Sequence, residues 1–166
     1  MRVLVAYGSR MGGTAGIAET VGRTIAGAGL EVAVRPAADV RELAGYDAVV
    51  VGGALYAGRW HRHARRFVKR HAAALRAVPV WLFSSGPLDA SAATGEIPPV
   101  AQVRELLRLV GARGHVTFGG RLPADAKGFP ASAMARTRAG DWRDPARIEA
   151  WAARVAGQLS AAGAAR

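Results

Sequence analysis

The chain has 166 residues, enough for one domain that buries roughly 70% of its unfolded surface and too few for a second core. It has no cysteine, which excludes disulfides, thiolate metal sites, iron–sulfur clusters and thiol catalysis, so any redox chemistry must come from a bound cofactor. Lys and Arg number 23 against 12 Asp and Glu, and the resulting net charge of +11 suits anionic partners.

Apolar, β-rich runs alternate with helical patterns along the chain. Arg2–Tyr7 is apolar almost throughout, as a strand buried on both faces of a parallel sheet would be. Ile17, Val21 and Ile25 recur every four residues and predict a helix that ends at Gly27 and Gly29. Glu31–Arg35 and Asp47–Gly53 follow as the second and third strands. Residues 61–76 form a helix with two faces: Ala64, Phe67, Val68, His71 and Leu75 on one, Arg62, Arg65, Arg66, Lys69 and Arg70 on the other.

Val78–Ser84 is the fourth strand. After Pro98-Pro99, the residues Val100, Val103, Leu106, Leu107 and Val110 mark a further helix, and His115–Gly119 is the fifth strand. Residues 121–140 are basic and show no periodicity, which in a compact domain points to a functional or disordered segment. Asp144-Pro145 is an N-cap followed by a proline at the first helical position. It opens a last helix with the stripe Ile148, Trp151, Val155 and Leu159.

Five β/α alternations imply an α/β fold with an open, doubly wound sheet and helices on both faces. One domain is expected over residues 1–162, with 163–166 as a frayed tail. No apolar run has the length of a membrane span, and Arg2–Tyr7 is shorter than a signal-peptide core. The expected location is cytoplasmic, with peripheral membrane contact left open.

The chemistry begins where the first strand runs into "YGSRMGGTAGIAET", residues 7–20. A triphosphate loop needs lysine where Thr14 stands. A dinucleotide loop needs a second glycine where Arg10 stands. A phosphoacceptor domain needs acidic residues where Tyr7 and Gly52-Gly53 stand. What remains is Ser9-x-Met11-Gly12-x-Thr14, in which backbone N–H groups, two hydroxyls and a helix N-terminus can wrap a phosphate monoester without lysine.

This Ser-x-x-Gly-x-Thr pattern resembles the FMN-phosphate loop of flavodoxins. "DAVVVGGALYAGRWH" at 47–61 and "FVKRH" at 67–71 resemble the flavodoxin-like, menaquinone-dependent protoporphyrinogen oxidases, and "GDWRDPARIEAWA" at 140–152 is similar to the start of the last helix in related proteins. The likeness covers nearly the whole chain and is most specific over Gly52–His61. It implies a flavodoxin-like sheet of five parallel strands in the order 2-1-3-4-5, with FMN as cofactor. By that resemblance Ser9, Arg10, Met11, Gly12, Gly13 and Thr14 surround the phosphate, Met11 by its backbone alone because it departs from the usual threonine or aspartate. Ala54, Leu55, Tyr56, Ala57, Gly58 and Trp60 border the ring, with Tyr56 and Trp60 as stacking candidates. Ser84, Ser85, Gly86 and Pro87 meet its pyrimidine edge.

The loop "SSGPLDASAATGEIPP" holds no aromatic residue, where electron-carrier flavodoxins usually place a tyrosine over the ring. One ring face is then open to a planar substrate, which favours an enzyme over a carrier. The resemblance offers protoporphyrinogen, or another planar acidic molecule, as substrate and a quinone as acceptor. Arg62, Arg65, Arg66 and Lys69 are the candidates to meet an anionic substrate or an acidic redox protein, and an electron-transfer module is the alternative function. His61 opens its helix beside the flavin as a proton relay or a cap. No metal is expected, since no histidine pair is backed by a third ligand, and no nucleic acid, since the aromatics do not interleave with the arginines.

Overall fold

The computed structural model describes residues 1–165. The five expected strands form as β1 (Arg2–Gly8), β2 (Glu31–Pro36), β3 (Ala48–Tyr56), β5 (Val80–Ser85) and β6 (Gly114–Phe118), with an unexpected two-residue β4 (Arg59–Trp60) after β3. A second pair, β7 (Arg121–Leu122) and β8 (Gly140–Asp141), lies outside the main sheet. The helices are α1 (Gly13–Gly27), α2 (Arg62–Arg70), α3 (Ala72–Arg76), α4 (Ser91–Thr94), α5 (Ala101–Val110), α6 (Ala131–Arg138) and α7 (Pro145–Ala164).

The principal strands are parallel in the order β2-β1-β3-β5-β6, which is 2-1-3-4-5 when the five long strands are counted alone. Alternation along each strand sends side chains to opposite faces. Val3, Val5, Val50, Trp81 and Phe83 join Ile17 and Val21 of α1 and Trp151 and Leu159 of α7. Leu4, Ala6, Val49, Val51 and Leu82 join Phe67 and Val68 of α2, Leu75 of α3 and Leu106 of α5. Both faces are covered, which is why the strands read as continuous apolar runs. Among the described residues no helix is long and apolar enough to cross a membrane.

Gly52 and Gly53 make this packing possible. A Cβ on Gly52 would overlap the Phe83 ring on one face, and a Cβ on Gly53 would overlap the Trp60 indole on the other. Each glycine leaves a hollow for one large aromatic, and an alanine there would force a shift costing about 1–3 kcal/mol. Phe83 and Phe118 then each meet Trp151 edge to face and meet each other at a tilt, at centroid separations of 5.8–6.1 Å.

Several boundaries differ from expectation. The helix expected over 61–76 breaks at His71, which ends α2 and begins α3. β3 runs three residues past Gly53, into a hairpin with β4 that periodicity did not reveal. α7 continues as helix to Ala164, while Arg166, in the tail expected to fray, lies outside the described residues. The aperiodic segment is ordered into β7, α6 and β8, a flap beside the main sheet.

Candidate functional site

A cavity of about 570 Å³ opens at the carboxyl ends of β1, β3 and β5, where open α/β sheets place their ligands. Its first wall is the loop before α1. Gly12 has φ +81°, the left-handed turn that glycine adopts without steric cost, and its N–H donates to Ser9 Oγ at 3.1 Å. No side chain caps α1 and no acidic residue occupies its first turn. α7 differs: Asp144 accepts from the Arg147 N–H at its start. The free amides and positive dipole end of α1, with Ser9 and buried Thr14 on the wall, fit a phosphate monoester. Gly13 lets the flap come close, since a Cβ there would stand 3.2 Å from Arg121 Cβ.

The second wall is the β3–β4 hairpin, contributing Ala54, Leu55, Tyr56, Ala57 and Gly58. Tyr56 pairs with Arg59 across two residues that both have positive φ, Ala57 at 48° and Gly58 at 73°. That is the geometry of a type I′ turn, and alanine in it is strained by about 1–2 kcal/mol. Burial raises the Tyr56 phenol above its ordinary range, with the Arg10 guanidinium working against it, so the ring faces the cavity uncharged.

The third wall is Ser85, Gly86, Pro87, Leu88 and Asp89, and the fourth is the flap. Gly120, Arg121, Leu122, Pro130, Ala131, Met134 and Arg138 all line the cavity, and sequence reasoning named none of them as site residues. Their only sequence signal was the length and positive charge of the aperiodic stretch. The cavity's charged side chains are Arg10, Arg121 and Arg138 against the single Asp89.

Two expected ring contacts are elsewhere. Trp60 is 3% exposed and packs over Gly53 in the core, with Nε1–H donating to Ser84 Oγ at 2.9 Å, so it is not placed to stack on a ligand. Ser84 is buried between Trp60 and His115, whose Nε2 lies 2.9 Å from the same hydroxyl, so Ser85 reaches the cavity instead. Burial pushes the His115 imidazole down to about 4. Gly12 shapes the first loop without lining the cavity.

His61 is off the cavity wall and caps α2, its Nδ1 accepting from the His63 N–H at 3.2 Å. Burial holds it below the ordinary histidine value, followed by the charges of His63, Arg62 and Arg10, so it is neutral at physiological pH. α2 begins beside the first loop: a Cβ on Gly8 would stand 2.9 Å from both Ala64 N and His61 Nδ1. Arg62, Arg66 and Lys69 are exposed and Arg65 is half-buried. None of the four lines the cavity or forms an ion pair among the described residues.

A family model described as a flavodoxin domain matches residues 4–129. No curated protein sequence matches the chain. Similar solved structures include a flavodoxin from the domain Archaea, 18% identical with a TM-score of 0.66 over 96% of this chain and 99% of that one. A mutant flavodoxin from Pseudomonas aeruginosa is 20% identical with a TM-score of 0.63, again over 96% and 99%. The Flv1 flavodiiron core from Synechocystis sp. PCC6803 is 14% identical with a TM-score of 0.60, over 96% of this chain and 36% of that one. At these identities the structural likenesses speak for the fold alone.

Proposed function

The chain belongs to the flavodoxin family, its cofactor is FMN, and from that premise we propose an FMN-dependent oxidoreductase that oxidises a planar anionic substrate and hands the electrons to a quinone. The observation that carries this reading is the make-up of the cavity beside the phosphate loop. Its walls are apolar at Leu55, Leu88, Leu122 and Met134, and cationic at Arg10, Arg121 and Arg138. The loop after β5 puts no aromatic side chain on the cavity wall, which leaves room beside the cofactor for a substrate.

FMN, when bound, supplies a ring that accepts two electrons and a proton. The chain's own residues hold and orient it. Ser9, Thr14 and the α1 amides would take the phosphate, beside the flap that Gly13 lets approach. Tyr56 and Leu55 would bound the ring, with Ser85, Gly86 and Pro87 at its edge. The arginines attract and orient carboxylates on the substrate. Among acidic tetrapyrroles the sequence resemblance makes protoporphyrinogen the first to test. Each turnover takes two electrons and two protons from the substrate and leaves them on a quinone as a quinol, so the six-electron conversion of protoporphyrinogen to the porphyrin takes three turnovers.

A second reading, an electron-transfer module for an acidic redox protein, is favoured by the unpaired basic face of α2 beside the first loop. Anaerobic single-turnover mixing separates the two. The enzyme reading expects a planar carboxylate reductant to bleach bound FMN directly and a quinone to restore its colour. Bleaching only through an added reductase, with no response to any small reductant, would decide for the module.

A further inference from the structure

We propose that β2, at the outer edge of the main sheet, is a self-complementary interface that pairs antiparallel with β2 of a second copy of this chain, centred on Ala33.

The edge is open. β2 pairs with β1 alone, in parallel register from Arg2↔Glu31 to Tyr7↔Pro36. The Glu31 N–H donates to Met1 O at 3.3 Å, so Glu31, Ala33 and Arg35 turn their backbone groups toward β1. The alternate residues Val32 and Val34 turn theirs outward, and Pro36, next in that series, has no N–H to offer. The turn that follows, residues 37–39, folds back against β1 and α2.

Proteins commonly blunt an unpaired edge with charges of one sign. This edge carries opposite charges four residues apart. In an antiparallel pair centred on Ala33, Val32 and the partner's Val34 exchange both backbone hydrogen bonds, and the symmetry-related pair does the same. Glu31 then lies directly opposite the partner's Arg35, on one sheet face and at the closer, non-hydrogen-bonded spacing. Sliding the pair by one step in either direction separates these charges. Arg35 is exposed and makes no ion pair among the described residues. Glu31 meets Arg2 at 3.0 Å and still keeps 70% of its side chain exposed.

The α1 face of the edge repeats the pattern. Val32, Val34, Gly22 and Ala26 line a shallow groove of about 360 Å³ with Glu19 and Arg23. Gly22 lets α1 sit low on the strand, since a Cβ there would overlap Val34. The two-fold axis joins the two grooves into one apolar seam and sets Glu19 toward the partner's Arg23. Glu19 and Arg23 are both exposed, one turn apart on α1, and do not pair with each other. Opposite charges and an apolar seam related by one axis describe a partner identical to the chain itself. The cofactor cavities, at the carboxyl ends of the parallel strands, then open at opposite ends of the joined sheet.

Sedimentation velocity on the FMN-loaded full chain should show a monomer–dimer equilibrium across a micromolar to millimolar series. Arg35→Glu sets two pairs of like charges face to face and should raise the dimer Kd about tenfold or more. Glu31→Arg with Arg35→Glu restores opposite pairs and should bring the Kd back to within about threefold of wild type. Ala33→Cys places the chain's only cysteine at the axis, where Cα atoms about 4.5 Å apart allow a disulfide. Mild oxidation should link Ala33→Cys into a dimer and leave Ser160→Cys, exposed on α7, unlinked. A monomer throughout the series would overturn the proposal and leave the edge to a strand of another protein. A dimer that Arg35→Glu leaves intact, or that does not link through Ala33→Cys, would overturn it as well.

Discussion

The phosphate loop and the flap line the same cavity and are built in opposite ways. The loop, residues 9–14, is local: one strand end, one positive-φ glycine, one Ser9–Gly12 hydrogen bond and the free amides of the helix that follows. The flap is assembled from a distance. Its two strands pair Arg121 with Asp141 and Leu122 with Gly140, and its apolar centre needs Met11 and Leu88 from other loops. A local device made of backbone amides holds an anion tightly and reads little else of the ligand. A wall made of side chains from several elements reads shape and charge. On the function proposed, cofactor affinity falls to the loop and substrate choice to the flap.

The largest expected effect tests the loop. Ser9→Ala with Thr14→Ala removes two hydroxyls from a charged ligand, at about 1.5–3 kcal/mol each, so FMN affinity should fall more than a hundredfold. Flavin fluorescence titration measures it. Unchanged affinity, with the apoprotein still folded, would move the phosphate elsewhere and dissolve the contrast.

The next effect concerns the frame beneath both walls. β6 leads into the flap, and His115 on it shares Ser84 Oγ with Trp60 beneath the hairpin. The folded imidazole titrates at about 4 and the unfolded one near 6.5. Above ~6.5 both states are neutral and nothing is lost. Below it the unfolded chain takes up a proton that the folded chain refuses, so stability falls as pH drops toward 4, by about 2–3 kcal/mol in all. Thermal melts from pH 7.5 to 4 should show His115→Gln losing less stability than wild type, and parallel curves would sink the assignment.

Replacing residues 124–138 with a two-residue turn between β7 and β8 sharpens the comparison directly. The flap's buried centre is only Leu122, Ala131 and Ala135, so the domain should stay folded. FMN affinity should fall less than tenfold, about 1 kcal/mol, while binding of an anionic apolar ligand disappears. A loss of FMN as large as that of the double hydroxyl variant would mean that the two walls are not separable.

The smallest effect belongs to α2, outside the cavity. Arg62→Glu with Arg66→Glu should slow association with an acidic substrate or partner several-fold at low ionic strength, with the gap to wild type closing as salt is added. Bound FMN and its spectrum should not change. Stopped-flow reoxidation across a salt series reads both, and a deficit that salt leaves untouched would point to damaged packing.

The sequence by itself determined the parallel sheet, because strands buried on both faces admit only apolar residues, and β1, β3 and β5 show this as unbroken runs. It marked the candidate phosphate loop, because a strand end, the hydroxyls of Ser9 and Thr14, Gly12 and the start of a helical pattern lie within a few residues of one another. Tertiary structure alone decided where two named residues point. Trp60 looks like a ring-stacking residue as an aromatic in the segment after the third strand, but the missing Cβ of Gly53 opens a hollow beneath it, and burying the indole there outweighs lining the cavity. Ser84 is drawn inward by the same indole and by His115, thirty-one residues away. Tertiary structure also decided the flap, whose order comes from Met11, Leu88 and Gly13 meeting it from other parts of the chain, with Arg143 just after β8 reaching back to Gly13 O. Periodicity records what a segment buries within its own element, and this segment buries too little of itself to leave such a record.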